Sequence, residues 1–123
     1  MSLDPQSFVR QHREEILALL REMIACDSVT GKEGPMAELC ARWLREHGIE
    51  ATLQPCKDRH NAIGVVGKGE RALVISGHLD TVPYNVGDWR FGPHNPTEHE
   101  GKLYGLGSSD LKASIVGAYF ASL

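Results

Sequence analysis

Two short apolar runs, at residues 62–66 (AIGVV) and 72–76 (ALVIS), lie between segments whose apolar residues recur with helical spacing. Short, continuously apolar runs are typical of strands that are buried on both faces of a sheet. Helices before, between and after strands pack their apolar faces against such a sheet. This order of segments predicts an α/β fold in which helices are layered on a sheet.

The boundaries of the helices are indicated by capping residues. Asp4 followed by Pro5 has the form of an N-cap and first helical residue, and this helix is predicted to run to about Ala25. Pro35 is predicted to start a second helix that Gly48 closes. The apolar residues expected on the buried faces are Phe8, His12, Ile16, Leu19, Leu20 and Met23 in the first helix, and Met36, Leu39, Cys40, Trp43 and Leu44 in the second.

The remaining segments are shorter or less regular. Residues 49–53 alternate as in a half-buried strand, and residues 102–104 predict another short strand. Residues 79–101 have no stable periodicity and predict a long loop, which in a compact domain is often functional. The apolar stretch 115–123 predicts a buried helix at the end of the chain.

Length and charge exclude several classes of protein. A chain of 123 residues is long enough for one domain with a core but not for two. Its net charge of −3 provides no basic stripe for nucleic acid, and no apolar run is long enough to span a membrane. Because the N-terminus also lacks a signal-peptide pattern, we expect a cytoplasmic protein. The three scattered cysteines, Cys26, Cys40 and Cys56, are expected to be idle or buried thiols.

The first candidate for chemistry is the pair His78 and Asp80, which follows the apolar run 72–76. Residues two apart in a strand point to the same side, and ligands of α/β proteins bind beyond the carboxyl ends of strands. A neutral imidazole is a good zinc ligand when a carboxylate fixes its other nitrogen. Taken alone, the pair is more readily interpreted as a polar end to a strand that has no other role.

The second candidate is Asp110, in the segment 101–112 (GKLYGLGSSDLK). Glycines at 105 and 107 allow a tight turn that delivers the carboxylate to a crowded site. A structural alternative makes Ser108 or Ser109 the N-cap of a helix with Asp110 in its first turn. A dinucleotide-binding loop is a further alternative, but Asp110 stands where that motif needs a glycine and would repel a pyrophosphate.

In combination, GHLDTVP at 77–83, the loop around Trp89 and EGKLYGLGSSDLK at 100–112 resemble the M20 family of zinc metallopeptidases and amidohydrolases, of the acetylornithine deacetylase and succinyl-diaminopimelate desuccinylase type. The resemblance implies that His78 binds one zinc ion, Asp110 bridges two, and Asp80 orients His78. It also implies a cis peptide bond between Asp110 and Leu111. Cobalt or manganese are alternatives to zinc.

The sequence departs from the family pattern at several positions. Ala113 replaces a glycine, and residues 92–94 (GPH) replace a DPF-like stretch in which His94 is expected to be a surface loop histidine. The family's general-base glutamate and its other metal ligands follow the bridging aspartate, whereas only residues 111–123 follow Asp110 here. The resemblance therefore implies that residues 1–123 are the N-terminal part of a catalytic domain.

The expected fold is accordingly a truncated part of a three-layer α/β/α metallohydrolase domain with a mixed, mostly parallel sheet. The expected function is zinc-dependent hydrolysis of the amide bond of N-acyl amino acids or short peptides, as part of a longer enzyme. The expected partners are a small-molecule substrate and other copies of the same protein in a homo-oligomer. The alternative is a catalytically inactive fragment or association module that retains half of the metal site.

Overall fold

The computed structural model describes residues 4–123 of the chain. Four α-helices and four short strands follow one another along the described residues, with a short 3-10 helix at Val86–Asp88. The strands form two separate antiparallel pairs. Helices and sheet are both present as predicted, but the expected mostly parallel sheet is absent from residues 4–123, where the one parallel pairing is an isolated bridge between Val29 and Thr81.

The N-terminal helical segment is divided into α1 (Pro5–Gln11) and α2 (Arg13–Ala25). The Asp4 side chain caps α1 by accepting hydrogen bonds from the backbone N–H groups of Gln6 and Ser7, as predicted. The break falls at His12, whose backbone leaves the helical region with φ −99° and ψ 12°. The predicted helix is therefore present with a kink that the apolar spacing did not indicate.

Helix α3 (Gly34–Glu46) buries the whole apolar stripe that the sequence predicted for it. Gly48 ends the helix with a positive φ of 77°, and the Ile49 N–H donates to the carbonyl of Leu44. The core forms where α3 packs against α2, α4 and β1; its buried members are Leu19, Met23, Met36, Leu39, Cys40, Ala41, Trp43, Leu44, Ile49, Ala51, Ile115, Val116 and Phe120.

Strands β1 (Glu50–Cys56) and β2 (Arg59–Val65) form a hairpin whose turn uses a positive φ at Lys57. Glu50 pairs with Val65 at the open end, and Cys56 pairs with Arg59 next to the turn. The prediction that residues 62–66 are buried on both faces is wrong. Since β2 has a partner strand on one edge only and is covered mainly by α3, most of its side chains remain exposed.

The second apolar run, residues 72–76, is not a strand, which contradicts the prediction. Its backbone makes no sheet pairing within residues 4–123, and its side chains face solvent, with Leu73 89% exposed and Val74 80% exposed. Apolar composition favours a strand only when a neighbouring strand accepts the hydrogen bonds. No such neighbour is present in the described part of the chain.

The C-terminal part begins with the hairpin of β3 (Thr97–His99) and β4 (Lys102–Tyr104), the second of which was predicted. The long loop at 79–101 therefore contains one strand of its own. A wide turn at Ser108–Lys112 leads into α4 (Ala113–Ala121), the predicted buried helix, which covers α2. The three cysteines all lie within the described residues and are free: Cys40 is buried, Cys26 half-buried and Cys56 exposed.

Candidate metal centre

His78 and Asp80 lie on the extended segment that follows the exposed run 72–76. The segment is held at Thr81, whose N–H donates to the Ser28 carbonyl at 2.9 Å and whose own carbonyl accepts from the Thr30 N–H at 3.1 Å. These bonds make up the parallel bridge and dock residues 77–81 against the loop between α2 and α3. The N-terminal helices thus determine where the two polar side chains lie.

Asp110 is carried by the wide turn at Ser108–Lys112. Its backbone has φ −122° and ψ 91°, and its peptide bond to Leu111 is cis, as the resemblance implied. The alternative in which Asp110 belongs to the first turn of a capped helix is wrong, because α4 begins at Ala113 and no side chain of Ser108 or Ser109 caps it. The carboxylate instead projects towards His78.

Two close contacts fix this turn. Gly107 has a positive φ of 79°, and a Cβ at this position would lie 2.8 Å from Thr81 Cγ2, so only glycine allows the turn to approach the His78 segment this closely. Lys112 is buried, and its Nζ donates to the Cys26 carbonyl at the end of α2 at 3.1 Å. The turn is therefore tied to both the segment and the helix.

The imidazole of His78 lies between the two carboxylates. Its Nε2 is 3.0 Å from Asp110 Oδ1, and its Nδ1 is 3.1 Å from both the carbonyl oxygen and Oδ1 of Asp80. Asp80 thus contacts Nδ1 of the ring, while Nε2 is directed at Asp110. This is the arrangement in which an imidazole, oriented through Nδ1, offers Nε2 to a metal ion.

The carboxylates also change the acidity of the imidazole. Burial by itself lowers the pKa of His78, but the hydrogen bond with Asp110 and the contacts with Asp80 outweigh it, so that the pKa of His78 is raised. The hydrogen bond from Thr30 is the main cause of a lowered pKa at Asp80, and His78 lowers it further. Asp80 therefore stays ionised opposite the ring.

The three side chains line a cavity of about 290 Å³ that is open to solvent. Asp110 is 84% exposed and His78 49% exposed, so both are accessible to a dissolved ion. The other lining residues are Thr81, Val82, Gly105, Leu106, Gly107, Ser108 and Ser109. The lining thus combines the polar groups of His78, Asp80 and Asp110 with glycine, serine and apolar residues.

The donor set fits part of a zinc site. One imidazole nitrogen and one carboxylate oxygen are typical zinc ligands, whereas a tight site uses three or four protein ligands. Within residues 4–123 no group of three or more His, Cys, Asp or Glu side chains is arranged to hold a metal ion. The structure therefore brings together one imidazole nitrogen and one carboxylate oxygen, with a second carboxylate on the other ring nitrogen.

His94, expected on the surface of the loop, is instead half-buried. Its ring packs edge-on against Tyr84 with the ring centroids 4.8 Å apart, and its Nε2 is 3.6 Å from Asp27 Oδ1. The Tyr84 hydroxyl donates to the other oxygen of Asp27 at 3.0 Å. His94 thus takes part in anchoring the long loop to the end of α2.

Comparison with known proteins finds acetylornithine deacetylases among the relatives of this chain. An acetylornithine deacetylase of Vibrio atlanticus (strain LGP32) is 32% identical over 114 residues, which cover 86% of this chain and 30% of that protein. An acetylornithine deacetylase of Pasteurella multocida (strain Pm70) is 41% identical over 80 residues, or 63% of this chain and 21% of that protein. An acetylornithine deacetylase of Shigella sonnei (strain Ss046) is 34% identical over 106 residues, which cover 78% of this chain and 28% of that protein.

The model of peptidase family M20/M25/M40 matches residues 74–122. This part of the chain therefore belongs to the M20 family. The M20 segment contains His78, Asp80 and Asp110, the three residues that converge at the cavity, together with the buried Lys112. The chain spans less than a third of the length of the curated relatives it matches.

The sequence indicated no role for two residues that hold the candidate site together. Thr30 donates a hydrogen bond to Asp80, and Lys112 anchors the turn that carries Asp110. Thr30 lies 50 residues from Asp80 along the chain, so no local spacing indicated the contact. Lys112 lies in the motif but is buried, which lysine rarely is without an ionic partner.

No helix within residues 4–123 is both long enough and apolar enough to cross a bilayer.

Proposed function

We propose that residues 1–123 are the N-terminal part of the catalytic domain of a metal-dependent amidohydrolase. As part of a longer enzyme, the domain would hydrolyse the amide bond of an N-acyl amino acid, of which N-acetylornithine is the first candidate, or of a short peptide. The observation that carries the proposal is the 3.0 Å approach of His78 Nε2 to Asp110 Oδ1 inside the M20 segment. The names of the relatives support the choice of substrate.

We propose His78 as a ligand of one zinc ion, Asp110 as a ligand shared by two, and Asp80 as the residue that orients His78. Asp80 supports this assignment because it already engages Nδ1 and leaves Nε2 towards Asp110. Zinc, or alternatively cobalt or manganese, would supply Lewis acidity that polarises the amide carbonyl and activates water. The shared negative charge of Asp110 would offset the repulsion between two neighbouring cations.

The rest of the chain would position these groups. The loop after α2 and the buried Lys112 hold the two ligand-bearing segments together, while residues 105–109 line the cavity. The cavity would leave room for a substrate beside the ligands. The base that would take a proton from water and the remaining ligands would come from elsewhere in the complete enzyme.

In the complete enzyme we propose that residues 72–76 form a strand of a mixed, mostly parallel sheet with helices on both faces. The exposed apolar side chains of this run and its proximity to the parallel Val29–Thr81 bridge support the proposal. We further propose that the enzyme is cytoplasmic and assembles as a homo-oligomer.

The test compares variants of the complete protein that carries this sequence. Asp110→Ala is expected to abolish binding of a metal pair and to reduce turnover of N-acetylornithine by several orders of magnitude, because it removes the shared ligand. Zinc content by elemental analysis and turnover by amine release measure the two effects. Asp58→Ala, an exposed aspartate in the turn region between β1 and β2, is the matched control and is expected to retain both.

Unchanged zinc stoichiometry and turnover in Asp110→Ala would contradict the site assignment. A panel of N-acetylornithine, N-acetylcitrulline and N-succinyl-diaminopimelate then identifies the acyl group and side chain that the enzyme prefers. Failure of all three with an intact metal pair would contradict the substrate class but leave the ligands assigned.

The second candidate is a catalytically inactive fragment or association module. Two observations favour it: two converging ligands are fewer than a tight zinc site requires, and the apolar run 72–76 is exposed. Measurable amide hydrolysis by the 123-residue chain itself would exclude this candidate. Absence of hydrolysis by the complete protein that carries the chain would favour it.

A further inference from the structure

The loop between α2 and α3, residues 26–33, lies alongside the candidate metal centre although it contains no proposed ligand. Its Val29 forms the parallel bridge with Thr81, and main-chain hydrogen bonds on either side of Val29 join Ser28 and Thr30 to Thr81. The Thr30 side chain is thereby held next to Asp80.

Thr30 and His78 engage the two oxygens of the Asp80 carboxylate separately. The Thr30 hydroxyl donates to Oδ2 at 2.6 Å, while Oδ1 lies 3.1 Å from His78 Nδ1. A carboxylate with one partner on each oxygen loses the freedom to rotate about its terminal bond. The orientation of the carboxylate, and through it that of the imidazole, therefore depends on the position of the Thr30 hydroxyl.

The turn that follows Thr30 is itself held in place. The Gly31 N–H donates to Oε1 of the buried Glu33 at 3.0 Å, and Arg59 of β2 donates to the same oxygen at 3.2 Å. Gly31 has a φ of 99°, which residues with a side chain rarely adopt. The hydroxyl of Thr30 is therefore presented by a rigid loop.

We propose that Thr30 is a positioning residue of the metal centre, which fixes the Asp80 carboxylate so that His78 presents Nε2 beside Asp110. The proposal rests on the proposed function of His78 and Asp110 as ligands. Thr30 is itself exposed, so replacing its hydroxyl does not disturb the core. A purely structural role would affect stability, whereas a positioning role affects the binding of metal.

The test measures zinc binding by the complete protein that carries this sequence, in a titration followed by calorimetry and by the NMR signal of the His78 ring. Thr30→Val keeps the shape of the side chain and removes the hydrogen bond. We expect it to weaken zinc binding roughly tenfold, which is the lower end of the loss caused by removing a residue that hydrogen-bonds to a metal ligand. Thr30→Ser restores the hydroxyl and is expected to bind zinc about as well as the unsubstituted chain. Thr52→Val, an exposed threonine of β1, is the matched control with no expected change.

A second readout separates positioning from general loosening of the fold. If Thr30 acts through Asp80, the effect of Thr30→Val disappears when Asp80 is already replaced by Ala, because no carboxylate remains to be oriented. Circular dichroism verifies that each variant is folded, and Thr30→Ala replaces Thr30→Val if the latter is not.

Equal zinc affinity of Thr30→Val and the unsubstituted chain would overturn the inference while leaving the ligands in place. Equal weakening by Thr30→Val and Thr30→Ser, or an undiminished effect in the Asp80→Ala background, would also overturn it. If the unsubstituted complete protein does not bind zinc, the proposed metal centre is wrong and the inference falls with it.

Discussion

At the scale of single residues, His78 controls the behaviour of the candidate centre because both of its ring nitrogens face a carboxylate. When the ring is protonated, both N–H groups donate, one to Asp80 and the other to Asp110. When the ring is neutral, Nε2 has a lone pair to offer to a cation. Proton and metal ion therefore compete for the same nitrogen.

The raised pKa of His78 leads to a prediction for the chain without metal. A group whose pKa is raised on folding contributes stability that is fully present below its unfolded pKa, about 6.5, and is lost as the pH rises through the folded value. We expect NMR titration to give His78 a pKa above its ordinary value. Asp110→Asn should lower this pKa because it removes the charge beside Nε2, and Asp58→Asn should leave it unchanged.

Zinc binding should strengthen as the pH rises through the pKa of His78, since it requires the neutral ring. A His78 pKa at or below the ordinary value in the unsubstituted chain would show that the two carboxylates do not act on the ring as described.

At the scale of elements, the site depends on how closely β4 and the wide turn approach α2. Gly105 follows β4 and contacts Ile24, which is fully buried near the end of α2. Two residues later, Gly107 makes a similar approach to Thr81. The spacing of the elements is thus set by two glycines that leave room for their neighbours.

A methyl group at Gly105 would overlap Ile24 Cγ2, so Gly105→Ala is expected to lower the free energy of unfolding by about 1–3 kcal/mol. Urea denaturation followed by circular dichroism measures the loss. Gly87→Ala is the matched control, because a Cβ at Gly87 meets no atom within 4 Å. Equal stability of the two variants would mean that α2 and β4 are less tightly packed than described.

The elements also show how far the sequence could predict the structure. The helices were predictable because their apolar spacing and caps act locally, as in the buried face of α3 and the Asp4 cap. The convergence of His78 and Asp110 followed from the resemblance of their motifs. The absence of a strand at 72–76 could not be predicted, since a strand depends on a partner that the pattern of one segment does not reveal. Thr30 was missed for the same reason, because its role arises from a contact between distant segments.

At the scale of the whole molecule, the largest departure from an ordinary globular surface is the exposed run 72–76. Leu73, Val74 and Ile75 are between 60% and 89% exposed. An extended apolar segment with unpaired backbone groups is prone to pair with another chain.

We therefore expect the 123-residue chain to self-associate, so that its sedimentation coefficient rises with protein concentration. The double variant Leu73→Lys and Ile75→Lys is expected to suppress this association by placing charges on the exposed run. The double variant Val9→Lys and Val86→Lys, which adds the same charge at two other exposed valines, is the matched control. A single monomeric species at every concentration of the unsubstituted chain would contradict the prediction.

The bridge between Val29 and Thr81 has a consequence for the order in which the protein matures. Because it joins distant parts of the chain, a long loop must close before the His78 segment is held against the loop after α2, and such long-range closure is slow. An ion captured at the centre would then stabilise the assembled state over every earlier one. A protease that cut between α3 and residue 72 and released the first helices would abolish capture of the ion, although no side chain that contacts it had been altered.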